Sequence, residues 1–122
     1  MLNIGAVVIG VDDMRRAVDF WSRALNYVPR VTRDGWTELR PAGDGPGTLL
    51  ALQLSETPVQ DKPRIHLDLF AADAADQAAE VERLVSLGAT EVDWDSFPAD
   101  PDFVVLADPE GNRFCVIDES HG

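Results

Sequence analysis

The chain is an imperfect tandem repeat, and the repeat limits the folds that it can adopt. Each half has a short apolar run, an amphipathic helical stretch opened by an aspartate, and three further strand-like runs. Ala6 and His66 are 60 positions apart, as are the helix-capping candidates Asp13 and Asp73, and Asn26 and Gly88 are the residues expected to end the two helices. The strand-like runs after the second helix are 90–94, 103–107 and 113–118. The sequence therefore predicts an α+β fold of two tandem βαβββ modules, which form a curved mixed sheet around a cleft and carry their helices on the outer face.

Stretches rich in proline, glycine and polar residues divide the chain into four parts. Module one covers 3–55, a polar connector with two prolines covers 56–63, module two covers 64–118, and 119–122 form a tail. With 122 residues, of which 45% are apolar, we expect one globular domain, 1–122, built from the two modules.

Charge and cysteine content exclude several classes of function. The formal net charge is −12 and no basic stripe is present, so we expect neither nucleic acid nor membrane as a partner. Cys115 is the one cysteine, which excludes an internal disulfide and any Cys-x-x-Cys motif. The sequence contains no recognisable signal peptide and no apolar run of membrane-spanning length, so the expected location is cytoplasmic.

The stretch 64–70, at the start of module two, predicts the most informative strand. Side chains alternate along a strand, so Ile65, Leu67 and Leu69 should face the helix. His66, Asp68 and Phe70 should share the opposite face, where polar groups need partners or a cavity. The same alternation places two further sets of residues. Leu50, Leu52 and Leu54 should face the helix of module one, opposite Gln53, and Arg113, Cys115 and Ile117 should face the same way as His66.

Four segments in order resemble the vicinal oxygen chelate superfamily, which includes glyoxalase I, bleomycin-resistance proteins and extradiol dioxygenases. They are Ala6-Val7-Val8-Ile9 through Asp13, Ala17-Val18-Asp19-Phe20-Trp21, Arg64-Ile65-His66-Leu67-Asp68-Leu69, and Asp108-Pro109-Glu110-Gly111-Asn112-Arg113-Phe114-Cys115. The resemblance covers the chain from about Asn3 to Asp118. It also implies a homodimer, since two-module members commonly form each cleft from modules of different subunits.

The resemblance also indicates where a metal would bind. In metal-dependent members the ligands are His or Gln, Glu, His or Gln, and Glu, on the first and last strands of each module. These positions fall on Ala6, Gln53, His66 and Cys115, of which His66 alone matches the family's ligand. We therefore expect no metal and no other cofactor.

Each candidate site residue has a structural interpretation beside the functional one. His66 is the candidate catalytic residue, with Asp68 orienting it as a base, or it is a hydrogen-bonded polar residue. Cys115 is a buried apolar residue or a nucleophile, and Gln53 contacts a ligand or the backbone. Trp36 and Phe70, like Trp94 and Phe103, belong to an aromatic wall or to a core.

Three functions remain open. The first is a metal-free protein of glyoxalase or bleomycin-resistance type that binds a small organic molecule through Gln53, His66, Asp68, Cys115, Trp36 and Phe70. The second is a metal-dependent lyase or isomerase of glyoxalase type that acts on a small carbonyl or diol-like substrate. The third is a domain that serves association only.

Overall fold

The computed structural model describes residues 1–94 and 97–121, and the chain forms two compact units, Met1–Pro58 and Val59–Gly122. The first unit consists of β1 (Ala6–Val11), α1 (Met14–Leu25), β2 (Tyr27–Arg33), β3 (Trp36–Pro41), a 3₁₀ turn (Ala42–Asp44) and β4 (Leu49–Leu54). The second consists of β5 (Leu67–Ala71), α2 (Ala74–Leu87), β6 (Thr90–Glu91), β7 (Phe103–Ala107) and β8 (Arg113–Asp118). Both units have the strand and helix order βαβββ, which confirms the predicted fold class.

Both helices begin and end at the residues that the sequence predicts. The Asp13 side chain accepts a hydrogen bond from the Arg16 amide, at 3.1 Å, and Asp73 accepts one from the Asp76 amide, at 2.8 Å. Each carboxylate thus satisfies an amide that has no partner within its helix. Helix α1 ends at Asn26, in the left-handed conformation, and α2 ends at Gly88, which has φ 124°.

The first unit is a four-stranded sheet in the order β1-β4-β3-β2, with β1 and β4 parallel. Helix α1 buries Phe20 and Trp21, whose rings meet edge to face with centroids 5.1 Å apart. Leu50 and Leu52 are buried as predicted, but Leu54 is 49% exposed. The reason is the register, because the pairing of β3 with β4 begins at Trp36 and Gln53 and leaves Leu54 beside the Gly35 turn.

The second unit is a four-stranded sheet in the order β5-β8-β7-β6, with β5 and β8 parallel. Its apolar core includes Leu84 from α2, Leu106 from β7, and Phe114 and Val116 from β8. Parallel pairing of β5 with β8 requires the crossover that α2 begins. As a result, the strand that carries Asp68 lies directly beside the strand that carries Cys115.

Strand β5 begins later than the sequence predicts, at Leu67 instead of Arg64. Its pairing with β8 starts at Leu67 and Phe114, and residues 64–66 precede this first pair. Ile65 was predicted to face the helix, but it lies outside the strand and is 83% exposed.

Two other predicted segments differ in extent. The strand predicted at 90–94 is shorter, Thr90–Glu91, although the Val92 amide still donates to the Val105 carbonyl. At the start of the predicted tail 119–122, the Glu119 amide donates a hydrogen bond to the Ala71 carbonyl. The last residue of the tail lies outside the described residues. Neither described helix combines the length and apolar character needed to cross a membrane.

The N-cap of α2 allows a direct test of how the sequence sets the start of this helix. Asp73→Ala should lower the free energy of unfolding by about 1 kcal/mol, because the Asp76 amide loses its acceptor. Asp73→Ser keeps a capping oxygen and is the matched control. Urea unfolding followed by circular dichroism checks this, and equal stability of the two variants would contradict the capping role.

Candidate functional site

The parallel pairing of β5 and β8 brings three chemically different side chains together. Asp68 is directly opposite Cys115 in the register, and His66 precedes Asp68 by two residues and projects to the same side. The imidazole nitrogen, the carboxylate oxygen and the thiol sulfur of these residues lie within 4.8 Å of one another. The predicted common face of His66, Asp68 and Cys115 is therefore confirmed.

His66 and Asp68 form the polar pair of this cluster. His66 Nε2 lies 3.0 Å from Asp68 Oδ1, and the two side chains are 45% and 47% exposed. A carboxylate at this distance fixes the orientation of an imidazole ring. The pair can therefore hydrogen-bond a ligand, and it is open enough for a ligand to reach it.

Cys115 is a buried thiol with little nucleophilic character. Burial, and secondarily the negative charge of Asp68, raise its pKa to about 11. With this pKa the side chain stays neutral near pH 7. It is therefore a poor nucleophile, because the thiolate is the reactive form. This geometry favours the apolar interpretation of Cys115 over the nucleophilic one.

The cluster lies in a pocket of about 410 Å³ formed by the second unit. The aromatic residues of its described lining are Trp94, Phe103 and Phe114, and Phe97 stacks on Phe103 with ring centroids 5.0 Å apart. The described residues that line it are Pro63, His66, Asp68, Trp94, Asp102, Phe103, Val105, Arg113, Phe114, Cys115 and Ile117. The pocket thus combines an aromatic part with a polar part, as small-molecule sites commonly do.

Arg113 is held at the pocket by the turn that precedes β8. Asp108 organises this turn, because its carboxylate accepts hydrogen bonds from the amides of Glu110 and Asn112. Arg113 then donates to the Gly111 carbonyl at 2.8 Å and to Asp61 at 3.1 Å. Its Nε is buried and has no hydrogen-bond partner among the described residues.

The remaining predicted site residues lie elsewhere. Trp36 and Gln53 are neighbours in the sheet of the first unit, where Trp36 Nε1 donates to Glu38 at 3.2 Å. Phe70 is on β5 opposite Ile117, is 69% exposed and does not line the described pocket. Of the six predicted ligand-binding residues, this pocket brings together His66, Asp68 and Cys115.

Sequence reasoning missed Asp102 and Pro63 as lining residues. Asp102 precedes β7, and its backbone carbonyl accepts bonds from the Asp118 amide and from Gln77 Nε2. Gln77 also donates to the Val116 carbonyl, so α2 fixes the approach to β7. No local pattern around Asp102 signals this placement, because it depends on a tertiary contact.

The donor set does not fit the divalent ion of the metal-dependent members of the superfamily. Ala6 offers no ligand atom, and where those members carry a second carboxylate, Cys115 offers a thiol. Asp68 adds an oxygen near His66, but these two groups already face each other at 3.0 Å. We therefore describe no chemistry that passes through a metal.

Comparison with known proteins places the chain in a family. The family model described as "Glyoxalase-like domain" matches residues 6–117. The chain belongs to the glyoxalase-like domain family. No curated protein matches it.

Solved structures share the fold of this glyoxalase-like protein at low identity. A glyoxalase-related enzyme from Fulvimarina pelagi is 17% identical, with 96% of this chain and 88% of that chain covered and a TM-score of 0.72. A glyoxalase/bleomycin resistance protein/dioxygenase family enzyme from Burkholderia phytofirmans PsJN is 15% identical, with 94% and 97% covered and a TM-score of 0.74. The fosfomycin resistance protein FosX from Listeria monocytogenes is 11% identical, with 98% and 93% covered and a TM-score of 0.75. The family match confirms the predicted resemblance, these likenesses confirm the fold, and neither transfers an activity.

The raised pKa of Cys115 predicts how its reactivity depends on pH. Alkylation by iodoacetamide should be slow at neutral pH and should speed up towards pH 11, because the thiolate forms only there. Asp68→Asn removes a nearby negative charge and should move the rate profile to lower pH. Mass spectrometry of quenched samples measures the rate.

Glu82→Gln is the charge-matched control, since Glu82 is an exposed residue of α2 and does not line the pocket. It should leave the alkylation profile unchanged. Fast labelling of the folded wild-type protein at neutral pH would contradict the neutral buried thiol.

Proposed function

We propose that this protein binds a small organic molecule in the pocket of the second unit and does so without a metal ion. The observation that carries the proposal is the pocket itself, about 410 Å³ in volume, with aromatic side chains and an accessible histidine–aspartate pair. Sites for small molecules typically have volumes of about 300–1,000 Å³ and combine apolar walls with a few polar groups. Sequestration or sensing of such a molecule needs no further chemistry.

The lining suggests a role for each part of the pocket. Trp94 and Phe103 would cover the apolar body of the ligand, with Phe97 supporting the Phe103 ring. His66 and Asp68 would fix its polar end by hydrogen bonds. Where the ligand carries an acidic proton within reach of the imidazole, His66 is the residue that would accept it, with Asp68 as its positioning partner.

The alternative of a metal-dependent lyase or isomerase leads to different expectations. It requires a resident divalent ion and an effect of chelator on ligand binding or turnover. The thiol of Cys115 at a carboxylate position and the methyl group of Ala6 weigh against it. The two functions can therefore be separated by one pair of conditions, with and without EDTA.

Screening a compound library by thermal shift should identify ligands that raise the melting temperature equally with and without EDTA. For a ligand found in this way, His66→Ala should weaken binding about threefold to tenfold, the cost of one lost hydrogen bond. Isothermal titration calorimetry measures the dissociation constants. Loss of all binding in EDTA would contradict the metal-free proposal.

Tryptophan fluorescence assigns the ligand to the second unit. Quenching by the ligand should disappear in Trp94→Phe, because Trp94 lines the pocket, and should persist in Trp36→Phe, because Trp36 is in the first unit. The reverse pattern would place the ligand on the first unit and would contradict the proposal.

The homodimer implied by the superfamily resemblance remains a prediction. Size-exclusion chromatography with light scattering should give a mass of twice the 13.3 kDa chain. A mass of one chain across the accessible concentration range would contradict the dimer, and it would leave the ligand proposal untouched.

A further inference from the structure

The negative charge of the protein is concentrated in one of its two units. Residues 1–58 contain seven acidic and six basic residues, a net charge of −1, whereas residues 59–122 contain fifteen acidic and four basic residues, a net charge of −11. Almost all of the total charge of −12 therefore belongs to the unit that contains the pocket described above. A field of this sign raises the local concentration of cations and lowers that of anions.

The net charge of the residues that line the pocket has the same sign as the net charge of the unit. Asp68 and Asp102 both line it, and the Asp102 carboxylate makes no hydrogen bond or ion pair with the residues that the structure describes. Arg113 is the one lysine or arginine among the described lining residues, and it is engaged by Asp61 at 3.1 Å. The lysine, arginine, aspartate and glutamate residues of the described lining therefore sum to −1, and the sum is −2 when Asp61, the partner of Arg113, is included.

The aromatic part of the pocket suits a cation that is organic. The faces of Trp and Phe rings attract ammonium and guanidinium groups within about 6 Å, and they offer nothing comparable to an anion. Trp94 and Phe103 both line the pocket, and Phe97 holds Phe103 by stacking at 5.0 Å. A metal ion needs converging donor atoms and would leave this apolar surface unused.

We propose that the pocket of the second unit selects organic cations, which carry an amine or quaternary ammonium group on an apolar or aromatic body. The head group would lie between the carboxylates of Asp68 and Asp102 and the aromatic rings, and the body would fill the remaining volume. This inference rests on the proposed function and adds the charge class of the ligand.

Three probes that share a benzyl body test the charge class. They are benzyltrimethylammonium as the cation, benzyl alcohol as the neutral compound and phenylacetate as the anion, each titrated into the full chain in EDTA buffer. Binding of the cation should be about tenfold tighter than that of either other probe. The preference should fall at high salt, because screening weakens the field.

Variants separate a pocket effect from the general charge of the protein. Asp102→Asn should reduce the affinity for benzyltrimethylammonium about threefold to tenfold and leave benzyl alcohol unchanged. Glu82→Gln removes one negative charge from α2, outside the pocket, and should change the affinity less than twofold. Phe103→Leu should weaken the cation more than the neutral probe, and Trp94→Leu repeats that test if Phe103→Leu does not fold.

Each result supports or overturns the proposal. Equal binding of the three probes, tighter binding of phenylacetate, or equal effects of Asp102→Asn and Glu82→Gln would overturn the charge class. If none of the three binds while a library compound still quenches Trp94, the charge class fails and the proposed function stands. If no library compound binds the pocket either, the proposed function itself fails.

Discussion

The parallel pairing of β5 with β8 is the constraint on which the candidate site depends. It aligns Asp68 with Cys115 and brings His66 to the same side of the sheet. The pairing is possible because α2 begins the crossover between the two strands. The turn that Asp108 organises then places β8 in register with β5. A shift of one residue would exchange the two faces, since side chains alternate along a strand. Asp68 would then enter the core beneath α2, and the pocket would lose its polar end.

Burial and charge act together on this site. They keep Cys115 protonated, which removes the one strong nucleophile from the chemistry available at neutral pH. His66 and Asp68 remain accessible and are paired with each other, in the pocket that Trp94 and Phe103 also line. This arrangement is the basis on which we propose that the pocket binds a small organic molecule. A glyoxalase-like fold therefore does not by itself imply metal chemistry in this chain.

Much of the fold could be predicted from sequence because local signals agreed with the tertiary structure. Asp13 and Asp73 mark the helix starts, and Asn26 and Gly88 mark the ends. Alternation within 64–70 gave the common face of His66 and Asp68. It failed for Ile65, which precedes the first pair of β5 with β8, and for Leu54, which lies beyond the last pair of β4 with β3 although it still pairs with Val11. Asp102 escaped prediction for a different reason, since its position depends on Gln77, 25 residues away along the chain.

The three tryptophans allow the central claim to be tested at a single residue. Trp21 is buried in the core of the first unit, Trp36 is in its sheet, and Trp94 lines the pocket of the second unit. Fluorine NMR of protein labelled with 5-fluorotryptophan, titrated with an organic ligand in the presence of EDTA, reports on each of them separately. We expect a saturable shift of the Trp94 resonance, while those of Trp21 and Trp36 stay in place. A shift confined to Trp36, or a response that appears only after a divalent metal is added, would contradict a metal-free binding pocket in the second unit.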